Sequence, residues 1–112
     1  MRRAICFDDV LLEPRYSSIG SRTEIDLTTP LASESSGFLT LPIISAPMDT
    51  VTGPEMAIAM CKAGGLGILH RYNSIEEQAS LAREIGDATF HVKFGAAIGV
   101  TEKFECRATA LY

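Results

Sequence analysis

Hydrophobic and polar positions change rhythm near residue 40. Residues 7–40 are rich in Ser and Thr, carry the acids Asp8, Asp9 and Glu13, and are interrupted by Pro14 and Pro30. One short apolar stretch, Val10-Leu11-Leu12, is stopped by Pro14, and residues 33–37 are small and polar, the texture of an exposed loop. Residues 1–40 therefore read as an extended leader that wraps something and has little regular structure of its own.

From residue 41 the pattern becomes regular. Leu41-Pro42-Ile43-Ile44-Ser45-Ala46 is a continuous apolar run, as in a strand buried on both faces. Gly53-Pro54 puts a proline where a first helical turn tolerates it. Residues 55–63 are helix formers halted by Gly64-Gly65. A second apolar run covers residues 66–70. Ser74-Ile75-Glu76-Glu77 then fits a capping box, with Ser74 as cap and Glu77 reaching back. Ile75, Ala79, Ala82 and Ile85 recur at helical spacing, and Gly86-Asp87 is expected to break that helix. A third apolar run covers residues 94–100, and Thr101 is the expected cap of a final helix to Tyr112.

Strands alternating with helices imply an α/β fold with a parallel sheet. A closed eight-fold barrel takes about 250 residues, and this chain has 112. Three buried-type strands leave both sheet edges open, so residues 41–112 are expected to be the opening part of a larger barrel.

Composition narrows the classes. An apolar fraction of 46% excludes wholesale disorder, and a net charge of −4 without charge blocks offers no footprint for nucleic acid. The apolar runs are too short to span a bilayer, and the N-terminal Arg2-Arg3 meets Asp8-Asp9 before any long apolar core, unlike a secretory signal. Cys6, Cys61 and Cys106 are widely spaced and odd in number, which argues against a disulfide framework or a zinc site. Each reads as a packing residue, and a cytoplasmic location is the default expectation.

Ligands in parallel α/β folds bind where strands give way to helices. The first such place is residues 45–52, where Ser45 can donate to a phosphate or sugar and Met48 can pack on a flat base. The alternative there is a strand end whose hydroxyls cap the next helix. The second is His70-Arg71-Tyr72-Asn73, which can stack on an aromatic ligand and contact phosphate, or can be a polar connection with His70 bonded locally. The third, Gly99-Val100-Thr101, has no titratable group and reads as a plain connection. Residues 63–67 are glycine-rich but lie between helix and strand, the wrong order for a phosphate cradle. Asp8-Asp9 lacks a third metal ligand and is expected to cap or neutralise.

Three blocks carry a family resemblance: Phe7-Asp8-Asp9-Val10-Leu11-Leu12 with Pro14, then Ser21-Arg22 with Glu24-Ile25-Asp26-Leu27, then Ser45-Ala46-Pro47-Met48-Asp49-Thr50-Val51-Thr52. Gly64-Gly65-Leu66-Gly67-Ile68-Leu69-His70 and Asn73-Ser74-Ile75-Glu76-Glu77-Gln78 continue it. In these blocks the chain resembles the inosine monophosphate dehydrogenase and guanosine monophosphate reductase family. The resemblance implies three βα units of a (β/α)8 TIM barrel in a purine-nucleotide oxidoreductase. Dehydrogenases of this family use a cysteine nucleophile, NAD and water to turn IMP into XMP; the reductases use NADPH to turn GMP into IMP and ammonia. It places Ser45, Met48 and Asp49 at the mononucleotide, and Ser21, Arg22, His70, Arg71 and Asn73 at an NAD or NADP cofactor. No metal ligand is implied, and the family's monovalent-cation loop has no counterpart in these residues.

The family's catalytic cysteine loop is also unmatched, so the chain by itself is expected to be inactive. The short link at residues 86–93 leaves out the regulatory cystathionine-β-synthase-type modules that most dehydrogenases carry there, which is typical of the reductases. Residues 45–52 and 94–100 look more like the dehydrogenases, so the resemblance leans to a dehydrogenase, with a reductase as the alternative. The resemblance further implies a homo-oligomer, a tetramer in the family, with no nucleic-acid or membrane partner. Two other readings stand beside it: a non-catalytic partner that completes another chain, and a small self-sufficient nucleotide-binding domain.

Overall fold

The computed structural model describes residues 4–31, 37–89, 93–100 and 103–112. Within the leader, Phe7–Asp9 and Arg22–Glu24 form 3₁₀ turns. Near its end the leader folds back on itself in a short antiparallel pair, β1 (Thr29–Pro30) with β2 (Phe38–Leu39). The amide of Leu31 bonds the carbonyl of Gly37 at 2.9 Å, and Gly37 takes a positive φ of 92° that only glycine adopts freely. This hairpin is more regular structure than the sequence pattern predicted, and residues 33–36 of the expected loop lie outside the described residues.

The body is built from α1 (Pro54–Lys62), β3 (Ile68–Leu69), α2 (Ile75–Thr89), β4 (Gly95–Ala96) and α3 (Phe104–Leu111). β3 and β4 pair in parallel, and Ile44 bridges Leu66 in parallel on the other side. The chain thus shows the expected succession of strand-like segment and helix, repeated three times. The first predicted strand is reduced to that single bridge. Pro42 has no amide to offer, the amide of Ile43 turns back to Leu41 at 2.8 Å, and among the described residues no strand pairs along the outer edge, where Ile43 is 52% and Ile44 56% exposed.

α1 starts as expected, with Pro54 in its first turn after Gly53, and its end is followed by Gly64 at φ 85°. The capping box is present in both directions: Ser74 Oγ accepts from the Glu77 amide, and Glu77 returns a carboxylate oxygen to the Ser74 amide, each at 3.0 Å. α2 does not break at Gly86-Asp87 but continues to Thr89, whose hydroxyl bonds the carbonyl of Ile85 at 2.7 Å. A mid-helix glycine costs only about 1 kcal/mol, and no backbone turn is demanded there. α3 begins after Lys103 rather than at a side-chain cap; Thr101 lies outside the described residues.

Ala57, Leu69, Ala82 and Ile85 form the core, with Ile58, Leu81, Phe94, Ala96 and Leu111 packed around it. Gly67 lets α1 lie directly on β3, since a Cβ there would sit 2.5 Å from the Ala57 Cα. The leader does not share this core. Phe7, Leu11, Leu12 and Tyr16 are each more than nine-tenths exposed. The radius of gyration is 17.7 Å, where a compact chain of this length would have about 13 Å. Exposed surface is 9099 Å², against about 6,000 Å² for a compact protein of this mass. No helix among the described residues is long and apolar enough to cross a membrane.

Candidate functional site

Main-chain bonds align the carboxyl ends of the three parallel segments. The Ser45 amide donates to Leu66, that of Gly95 to Gly67, and that of Ala97 to Leu69, at 2.8–2.9 Å. Two of the predicted loops are joined there, because the His70 amide donates to the Thr52 carbonyl at 3.3 Å.

Thr52 is fully buried. Its Oγ1 lies 2.9 Å from Ser45 Oγ and 2.5 Å from the Ala46 carbonyl oxygen. A hydroxyl has one proton and a carbonyl can only accept. Thr52 is the donor in both contacts, so its single proton is shared between the Ala46 carbonyl and Ser45 Oγ. Ser45 accepts there, so its own O–H is not used in either contact and can donate to a ligand oxygen. The Thr52 hydroxyl thus joins two parts of the loop instead of capping α1, whose cap residue Gly53 makes no side-chain bond. Met48 is half exposed, and its carbonyl accepts the amides of Val51 and Thr52. Asp49 bonds the Thr50 amide at 2.9 Å and lines a separate hollow of about 480 Å³ with Val51, Glu55 and Met56.

In the second loop, His70 Nδ1 accepts from the Tyr72 amide at 3.2 Å, so a neutral His70 carries its proton on Nε2. Its ring stacks at 6.4 Å and 22° on Tyr72, and the Arg71 guanidinium lies 5.5 Å from the same ring. Local bonding of His70 and an aromatic platform thus occur together. Asn73 Oδ1 is buried and has no hydrogen-bond partner among the described residues, an acceptor left for something else.

Arg71 lines an open cleft of about 840 Å³ between the ends of β3 and β4, with Ser74, Glu76, Ile98, Val100, Lys103 and Arg107. The third loop, expected to be a plain connection, is part of this cleft. Gly99, at φ 72°, lies so close to Arg71 that a Cβ would approach its guanidinium to 3.2 Å. Three cations against one acid favour an anionic ligand, and the volume is in the range of small-molecule sites. Gln78 and Arg107 were not singled out in the sequence, and Gly99 was picked out there only as part of a plain connection. The available signal was Gln78 itself, a polar residue on the apolar stripe of α2.

Ser21 and Arg22 lie apart from this cluster. Ser21 Oγ accepts the Thr23 amide at 3.3 Å and contacts its hydroxyl at 2.9 Å. Among the described residues, the hydrogen bonds of both stay within 21–25. Cys61 is buried and donates its thiol to the Lys93 carbonyl at 3.3 Å, a packing role. Asp9 accepts from the Cys6 amide at 3.0 Å and the Cys6 thiol at 3.3 Å, which holds its carboxyl below the ordinary range. That matches the capping expectation.

These features describe an α/β protein whose candidate ligand loops gather at the carboxyl ends of parallel strands. The IMP dehydrogenase / GMP reductase domain model matches residues 4–112, and the chain belongs to that family. It is 51% identical over 79 residues to an inosine-5'-monophosphate dehydrogenase of Nitrosopumilus maritimus, covering 70% of this chain and 16% of that protein. A Streptococcus pyogenes protein of the same description is 48% identical over 85 residues, covering 76% and 17%. One from Korarchaeum cryptofilum is 48% identical over 82 residues, covering 73% and 16%. The chain therefore spans about one sixth of the length of these curated relatives.

Proposed function

We propose that residues 41–112 are the first three βα units of a (β/α)8 barrel, preceded by the leader 1–40, in an enzyme converting IMP, NAD and water to XMP and NADH. The observation that supports this best is the joined pair of strand-end loops, Ser45–Thr52–His70, in a chain of this family. Only residues 90–94 separate α2 from β4, which leaves no space for an inserted regulatory module.

Ser45, Met48 and Asp49 would face the mononucleotide, with Ser45 donating to a phosphate or sugar oxygen. The cleft lining offers charge for a dinucleotide through Arg71 and Lys103, and the adjoining loop residues His70, Tyr72 and Asn73, which are not part of that lining, would add flat faces and an acceptor oxygen. His70, Arg71 and Asn73 would hold it, and Ser21 and Arg22 would reach it from the leader. When bound, the dinucleotide supplies the hydride acceptor. The catalytic thiol would come from outside residues 1–112, within a homo-oligomer.

The test is an assay of the full reading frame with IMP and NAD, followed at the NADH absorbance. Turnover with Arg71→Met raising the KM for NAD about tenfold supports the reading. A full-length protein that neither turns over IMP nor binds it overturns it. The exposed edge at Ile43 and Ile44 supports a second reading, in which a separate chain completes the sheet. Co-purification of residues 1–112 with such a chain would distinguish the two.

A further inference from the structure

Gln78 is fully buried beside Ala79, Ala82 and Ile85 on the inner face of α2. A primary amide has two N–H donors and one carbonyl acceptor. The two donors go to different strand ends: Nε2 bonds the His70 carbonyl beyond β3 at 3.0 Å and the Ala97 carbonyl beyond β4 at 2.9 Å. Its Oε1 accepts Arg107 Nη1 from α3 at 2.7 Å. The reverse orientation would set an oxygen against two carbonyls and an amine against a guanidinium, so the partners fix which end is which. Arg107 then extends the network, with Nη2 donating to the Asn73 carbonyl at 3.1 Å and Nη1 reaching that of Ser74 at 3.5 Å.

The position of this amide matters. The last main-chain rung described between the two strands is Ala97 to Leu69. Past it, the chain diverges into residues 70–74 and 98–100, the two walls of the cleft. Gln78 supplies the next rung from the side, and Arg107 ties α3 to the first wall. A buried amide with every group satisfied is rigid, because any rearrangement strands polar atoms away from water.

We propose that Gln78 is a positioning residue: with Arg107 it fixes the spacing of the loops 70–74 and 97–100, and so the width of the dinucleotide cleft. The ligand named rests on the reading above; the clamp itself does not.

The test compares wild type with Gln78→Met in the full chain, a volume-conserving change that removes all three bonds. Hydrogen exchange without ligand should quicken about tenfold or more in residues 68–74 and 94–100, with α1 unchanged. The Kd and KM for NAD should rise about tenfold, while the Kd for IMP and the kcat at saturating NAD stay within about threefold. Unchanged exchange in both loops, or equal losses of NAD and IMP binding alongside a lowered melting temperature, would overturn the proposal. If Gln78→Met does not fold, Gln78→Glu, which keeps the volume and the Arg107 contact, carries the same comparison. A wild type that binds neither nucleotide would refute the functional reading, and the exchange measurement would still decide the clamp.

Discussion

Replacing Gly67 by alanine tests how tightly α1 is seated on the parallel ladder. The new Cβ would lie 2.5 Å from the Ala57 Cα, 2.9 Å from its Cβ and 3.0 Å from its carbonyl oxygen. Comfortable carbon contacts are about 3.5–4.0 Å, so the helix or the strand must retreat by about 1 Å. Two of the three clashing atoms are backbone, which no rotamer change can relieve. Overpacking of this kind costs about 1–3 kcal/mol, and the central value corresponds to a urea midpoint lowered by about 1 M. Combining it with Ala57→Gly should not restore stability: only the Cβ contact is removed, and a glycine inside α1 adds about 1 kcal/mol of its own. Urea denaturation followed by circular dichroism measures both variants. A Gly67→Ala protein within 0.5 kcal/mol of wild type, or full recovery in the double variant, would refute the reasoning.

Three other outcomes are expected. Ser74→Ala removes one half of the capping box and should cost about 1 kcal/mol in thermal unfolding, with Ser74→Asp retaining most of it. Gly99→Ala forces alanine into a positive φ and pushes against Arg71; under the proposed function, the full-length protein's NAD affinity measured by calorimetry should fall about tenfold while its IMP affinity holds. Asp9 should titrate below the ordinary carboxylate range, because the Cys6 amide and then the Cys6 thiol bond its charged form. A lowered folded value means that its contribution to the Phe7–Asp9 turn is complete above about pH 4 and is lost on acidification through the folded value. A carboxyl carbon titration by NMR with a midpoint at or above the ordinary value would contradict this.

The sequence made the helices legible because their signals are local. Gly53-Pro54, the Ser74/Glu77 box and the spacing of Ile75, Ala79, Ala82 and Ile85 each act within a turn or two, and all reappear in the structure. The end of α2 was misread because Gly86 is a weak breaker when nothing nearby needs a left-handed residue. The first strand was overestimated because an apolar run shows willingness to pair, while pairing itself needs a neighbour. At the site, residues 45–52 and 70–73 could be picked out as strand ends, since topology alone selects them. The junction between them at Thr52, the seating of Arg71 on Gly99 and the Gln78 network depend on contacts between distant residues. No spacing rule encodes such contacts.

The extended leader has a consequence in terms of reach. Residues 10–21 form neither helix nor strand, and a stretch of that length can span about 40 Å. The molecule is only 28 Å across its thinnest dimension. Leu11, Leu12 and Tyr16 are therefore carried on a tether longer than the body is thick, and can be laid against a surface far from where the leader joins it. Covering each such side chain contributes about 1.5–3 kcal/mol. All three side chains stand in water, so that burial is unrealised here and the tether keeps it available to any apolar surface within its reach.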